Sequence, residues 1–224
     1  MPSVHRRSRM PGIIDLSASG KPDPVALVTC NANFTAGGST LNLYHTVGSG
    51  IGRLLLVSMG HNATPLDWVK CDGVAMTQFG STINAVAESH VDLFYKINPD
   101  AGSNYITAQS PDSNDYWSMG VADYINVNQI TPLASYVGNT ETDGSPTIDL
   151  TGAEGDLAFS WIEFWYLWTW ATLGDNMTEI YANNLDNAWR GQGATKAGAA
   201  TVQMAWTLEA RTNTCCCGVM IKGM

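Results

Sequence analysis

Between residues 25 and 222 the chain returns repeatedly to one pattern, a short apolar or alternating run closed by a turn signal. TLNLYHTV (40–47) alternates apolar with polar residues, and RLLLVSMG (53–60) runs apolar almost without a break. HVDLFYKI (90–97) stops at Asn98-Pro99-Asp100, and NYITAQ (104–109) follows. WSMGVADYINV (117–127), SPTIDL (145–150), GDLAFSWIEF (155–164), MTEIYA (177–182), TVQMAWTL (201–208) and CCCGVMIK (215–222) continue the series. A period of two marks a strand with one buried face, and a continuous short run fits a strand buried on both. No segment of helix length carries a 3.6-residue period. Asp72-Gly73, set between WVKC and VAMT, is a two-residue hairpin signal. The pattern predicts about eleven or twelve short antiparallel strands in an all-β sandwich or barrel.

The glycine run Gly48-Ser49-Gly50-Ile51-Gly52 leads into a strand, so it reads as a hairpin turn and not as a dinucleotide loop, which must open a helix. No repeat of fixed spacing is visible and no low-complexity linker divides the body. The expected organisation is an extended basic arm, residues 1–24, followed by a single sandwich domain, residues 25–224. Pro22 and Pro24 disfavour helix where the arm meets the body.

One stretch breaks the alternation. In WIEFWYLWTW (161–170), Phe159, Trp161 and Glu163 share one strand face, but from Phe164 onward the residues are large and consecutive. Glu163 and the short length exclude a membrane span. A strand running into an aromatic loop fits better. Phe164, Trp165, Tyr166, Trp168 and Trp170, joined by Trp189, are candidate contacts with a partner. Core packing, a subunit interface and a sugar-stacking platform all remain open for them.

Charge narrows the partners. Only 14% of residues are charged, against roughly a quarter in ordinary globular chains, so Ser, Thr, Asn and Gly must supply the polar surface. The net charge of −9 argues against nucleic acid. Arg6, Arg7 and Arg9 give the first twelve residues +3, which leaves −12 on the remainder. Such an arm suits an acidic neighbour, including a second copy of this body. The start MPSVHRRSRMPGIIDLSASG has no apolar h-region, and no window offers ~18 uninterrupted apolar residues. The chain is therefore expected to be made in the cytoplasm and to stay there or leave by lysis, away from membranes.

Chemical motifs are absent. His5, His45, His61 and His90 show no i, i+2 or i, i+4 pairing. Asp149, Glu154 and Asp156 could act as hydrolase carboxylates or calcium ligands, but no calcium-loop run accompanies them. Cys30, Cys71, Cys215, Cys216 and Cys217 lack C-x-x-C spacing. Adjacent cysteines in a strand point to alternate faces, so they read as reduced core residues, with a Cys30 bridge to the C-terminal three left open. No catalytic residue, metal or cofactor is expected.

Several segments together carry a resemblance. TLNLYHTVGSGIGRLLLVSMG, VKCDGVAMTQFGS, VDLFYKINPDAGSNYITA, GVADYINVNQITPL, EGDLAFSW and AGAATVQMAWTL, with CCGVMIKG, occur in this order over roughly residues 40–222. They resemble a jelly-roll-like β-sandwich module of bacterial surface proteins and of structural proteins of tailed bacteriophages. The resemblance implies a virion protein, foremost a capsid decoration (cement) protein. It would contact the major capsid protein or other virion subunits and associate with itself. The alternative it implies is a carbohydrate-binding or host-adhesion module in a fibre or on a cell surface. The family supplies no catalytic residues. The chain departs from the pattern at 163–176 and at the basic arm.

Overall fold

The structure is a computed structural model describing residues 22–62, 65–85, 89–111, 116–142, 145–164, 171–185, 189–209 and 213–224. The described residues are all-β, with antiparallel strand pairs. The first half of the chain contributes β1 (Ala26–Ala36), β2 (Thr40–Val47), β3 (Leu54–Asn62), β4 (Trp68–Cys71), β5 (Val74–Ala75), β6 (Thr77–Asn84), β7 (Ser89–Ile97), β8 (Gly102–Gln109) and β9 (Tyr116–Ile125). The second half contributes β10 (Leu133–Glu141), β11 (Thr147–Leu150), β12 (Leu157–Phe164), β13 (Thr172–Leu173), β14 (Thr178–Leu185), β15 (Trp189–Ala197), β16 (Val202–Thr207) and β17 (Thr214–Ile221).

The two halves have one topology. The first forms a five-stranded sheet β1-β9-β3-β7-β6 and an outer sheet β2-β8-β4-β5. The second forms β10-β17-β12-β15-β14 and an outer sheet β11-β16-β13. In each, the first strand lies beside the last and the second beside the last but one, which is the jelly-roll order. Registers coincide too. Leu54 pairs with Ile97 and Tyr124, and Leu157 pairs with Ala197 and Ile221. Both first strands carry a bulge near their start, one position apart, and the edge strands β6 and β14 carry one at the same place. The repeat invisible at fixed spacing is thus present in the architecture. Its spacing drifts, from 103 residues at Leu54 and Leu157 to 97 at Tyr124 and Ile221.

The jelly rolls stack through their five-stranded sheets. Leu54, Leu56, Val91, Leu93, Ala122 and Tyr124 of the first meet Phe159, Trp161, Tyr181, Cys215, Cys217 and Val219 of the second in one central core. The first jelly roll fills its own interior with Leu55, Val57, Met59, Ile106 and Trp117, and the second with Ile148, Ile162, Phe164, Met204 and Trp206. Four layers therefore enclose three cores. The central strands are buried on both faces, which is why RLLLVSMG reads as a continuous apolar run. Cys215 and Cys217 face the central core and Cys216 the second interior, as strand alternation requires. All five cysteines are free thiols.

Two edges cross-link the stack. Tyr136 of β10 bonds Thr82 of β6 at 2.7 Å, and Cys30 Sγ of β1 donates to the Ile180 carbonyl of β14 at 2.7 Å. Because β1 lies over β14 while β10 lies over β6, the halves are related by a pseudo-two-fold axis. Near that axis, equivalent residues face each other. Gly60 of β3 is equivalent to Glu163 of β12, and a Cβ on Gly60 would lie 2.1 Å from the Glu163 carboxyl carbon. A small residue on one side admits the large one on the other.

Asp72-Gly73 forms the expected turn between β4 and β5, with φ of 51° and 78° as a type I′ hairpin requires. The Gly48–Gly52 run differs from its reading as a hairpin turn. It carries the chain from β2 in the outer sheet to β3 in the inner one, and Gly52 (φ 57°) lies against the Val127 backbone.

Candidate functional site

Of the expected contact residues, Arg6, Arg7, Arg9, Trp165, Tyr166, Trp168 and Trp170 lie outside the described residues. Phe164 and Trp189 are both buried within the chain. Phe164 belongs to the interior of the second jelly roll. The Trp189 indole donates to Glu163. Neither side chain is presented to a partner in this conformation. Trp161 is likewise core.

Glu163 is wholly buried at the jelly-roll junction. It accepts from Ser118 Oγ at 2.7 and 2.8 Å, from Trp161 Nε1 at 3.0 Å and from Trp189 Nε1. Burial pushes its carboxyl well above the usual range, and the bonds from Ser118 and Trp161 pull it back only in part. With donors on β9, β12 and β15, it ties the two halves together.

The first jelly roll holds two carboxylate–histidine pairs. Asp123 accepts from the Thr29 backbone at 3.1 Å and the Gly48 backbone at 2.9 Å, and meets His45 Nε2 at 3.0 Å. It joins β1, β9 and the β2–β3 crossover, so its place is structural. Asp92 meets His61 Nε2 at 2.9 Å and accepts from Gln78 Nε2 at 3.0 Å. The His61 ring stacks on His90 at 5.0 Å, and its Nδ1 is buried without a hydrogen-bond partner among the described residues. Burial would raise Asp92, but hydrogen bonds from His61 and Ser81 and the charges of His61 and His90 outweigh it, so the carboxyl lies below its ordinary value.

Asp92 and His90 line a cleft of about 340 Å³ on the open flank of this jelly roll. Phe94 shares that sheet surface, β6 supplies Gln78, Ser81 and Ile83, and residues 65–69 with Ala75 and Met76 line the rest. The cleft exists because the short β4–β5 hairpin leaves β6 uncovered: Gln78, Ser81 and Ile83 are exposed. Trp68 lines it as well, and Lys70 Nζ sits 3.9 Å from the indole centroid. No spacing rule could have found His61 and His90, because they are cross-strand partners 29 residues apart. Knowledge of the β3–β7 register would have been needed.

Of the acids singled out by sequence, Glu154 and Asp156 line one cavity of about 290 Å³ with Pro22 and Asp23, and Asp149 stands apart. Asp149 accepts from Gln203 at 3.2 Å, whereas Asp156 takes the Ala153 backbone at 2.8 Å, the Gly223 backbone at 2.9 Å and Lys222. Among the described residues no group of three or more His, Cys, Asp or Glu is placed to hold a metal. Burial raises every cysteine, Cys216 up to about 12, so these groups are thiols at neutral pH.

The other notable surface lies where the arm joins. Val25 N donates to Gly155 O at 2.9 Å and Asn126 Nδ2 to Pro24 O at 3.1 Å. Around this root, Asn126 N bonds Ile51 O, Met224 N bonds Asn126 O, and Val127 bridges to Gly223. Ile51 is 69% exposed and Ile130 of the inter-half connection is 92% exposed, with Ile97 and Met224 exposed nearby.

No protein-family model, curated protein or solved structure matches this chain.

Proposed function

We propose that this chain is a structural protein of a tailed-phage virion, a capsid decoration protein that acts by binding and not by catalysis. The observation that supports it is the exposed apolar group Ile51, Ile97, Ile130 and Met224 gathered at the arm root. Exposed aliphatic side chains grouped at one end of a body mark a contact with another protein. The arm begins at that same end, at Pro22–Val25. In this reading the apolar end seats on a neighbour, the major capsid protein or a second copy of this chain. Arg6, Arg7 and Arg9 then pair with acidic surface beyond it. Each exposed pair contributes little alone, about 0–1 kcal/mol, so the apolar contact carries most of the affinity and the arm adds reach and salt sensitivity. Binding across subunits of an assembled shell stabilises the assembled state by mass action.

The test is the solution mass, by size exclusion with light scattering, of the full chain and of residues 22–224. The proposal predicts a defined oligomer for the full chain at low salt that falls toward monomer without the arm. A monomer in both forms contradicts arm-dependent association.

A further inference from the structure

We propose that the cleft of the first jelly roll binds one sugar residue at the end of a neutral glycan. Trp68 would be the stacking surface, and Gln78, Ser81, His90 and Asp92 the hydroxyl partners. The site is separate from the arm root, and the proposal does not depend on it.

Size is the first reason. At about 340 Å³ the cleft lies near the lower end of ligand sites, ~300–1,000 Å³, which suits a terminal pyranose ring and not a long chain. Lining chemistry is the second. A sugar hydroxyl donates and accepts at once, and here a carboxylate, an amide, a hydroxyl and an imidazole converge on one space. A pyranose also has flat C–H faces, and Trp68, Ile83 and Phe94 supply apolar surface beside those polar groups.

Preorganisation is the third reason. Asp92 is only 4% exposed, and His61, Gln78 and Ser81 hold it in place. A carboxylate has about four acceptor sites, so those bonds leave capacity for a ligand hydroxyl. Lys70, sitting over Trp68, restrains the indole. Charge settles the class of sugar. Asp67 and Asp92 both line the cleft of a chain with net charge −9, which disfavours uronates, sialic acids and phosphorylated sugars.

Saturation-transfer NMR tests this with the methyl glycosides of glucose, galactose, mannose and N-acetylglucosamine, and with methyl glucuronide as the charged probe. The expected result is transfer to at least one neutral glycoside and at least tenfold less to the glucuronide. Trp68→Ala and Gln78→Leu should each reduce the neutral signal at least tenfold. Gln78 is exposed, so its variant decides the matter should Trp68→Ala fail to fold. Tyr44→Ala alters the tyrosine pair Tyr44–Tyr105 on the outer face of the four-stranded sheet and should leave the signal unchanged. No transfer to any neutral glycoside overturns the proposal. So does transfer that survives Gln78→Leu, or that is lost with Tyr44→Ala instead.

Discussion

The two jelly rolls use one frame to opposite ends. At equivalent strand positions the first has His61, His90 and Asp92 where the second has Phe164, Arg190 and Gln192. The first keeps an open polar cleft there. The second fills the same level with Phe164, which packs beside Ile162 and Trp206. Along the axis the asymmetry runs the other way. The first supplies Ser58 and Gly60 and the second supplies Trp161 and Glu163. Two identical faces of large residues would collide on a two-fold axis. Here one half provides the side chains and the other provides the space, so the halves are complementary because they differ.

That comparison can be broken most severely at the axis. Trp161→Ala should cost about 3–5 kcal/mol in denaturant unfolding, the usual loss for a large buried aromatic. Its equivalent, Ser58→Ala, removes the hydrogen bonds to Tyr181 Oη at 2.9 Å and to the Gly120 carbonyl at 3.4 Å and should cost less, about 1–3 kcal/mol. Equal costs would mean the two faces contribute alike. Next in size is Gly60→Ala, whose Cβ meets the Glu163 carboxyl. Overpacking of this kind should cost about 1–3 kcal/mol. A neutral Gly60→Ala would show that the sheets can part at no cost.

The halves should also differ in how pH acts on them. Glu163 titrates above its unfolded value of about 4.3, so the folded state retains a proton that the unfolded state releases. Its contribution is complete below that pH and is lost as pH rises through the folded value. Asp92 and Asp123 are depressed, so theirs is present above about 3.9 and lost as pH falls through their folded values. Unfolding free energy measured against pH should therefore decline on both sides. Glu163→Gln should flatten the alkaline side alone, and Asp123→Asn the acid side alone.

Much of this frame is legible in the chain. Thr40–Val47 and the Asp72-Gly73 hairpin stand where the alternation and the turn chemistry put them. Two long strands escape such reading. WRGQGATKA has no apolar alternation, yet β15 lies between β12 and β14, where Gly193 gives Tyr181 its place. In β10 a bulge between Ala134 and Val137, with Ser135 at φ 56°, breaks the period. The internal repeat hides because its equivalents are chosen to differ. A faint trace survives in Thr40-Leu41-Asn42-Leu43 and Thr147-Ile148-Asp149-Leu150, each closely following a Gly-Ser pair. The cleft was illegible for a different reason. It needs strand register, and it arises from a hairpin too short to cover β6.

The functional account rests on the arm-root end being the surface that meets a partner. Sedimentation velocity of the full chain tests it most directly, comparing Ile51→Asp with Ile130→Asp combined against Tyr44→Ser with Ile83→Ser combined. All four side chains are exposed, so neither pair disturbs a core. The account predicts that the arm-root pair converts the oligomer to monomer while the other pair leaves it intact. An oligomer that survives the arm-root pair, or dissolves with the other, contradicts it.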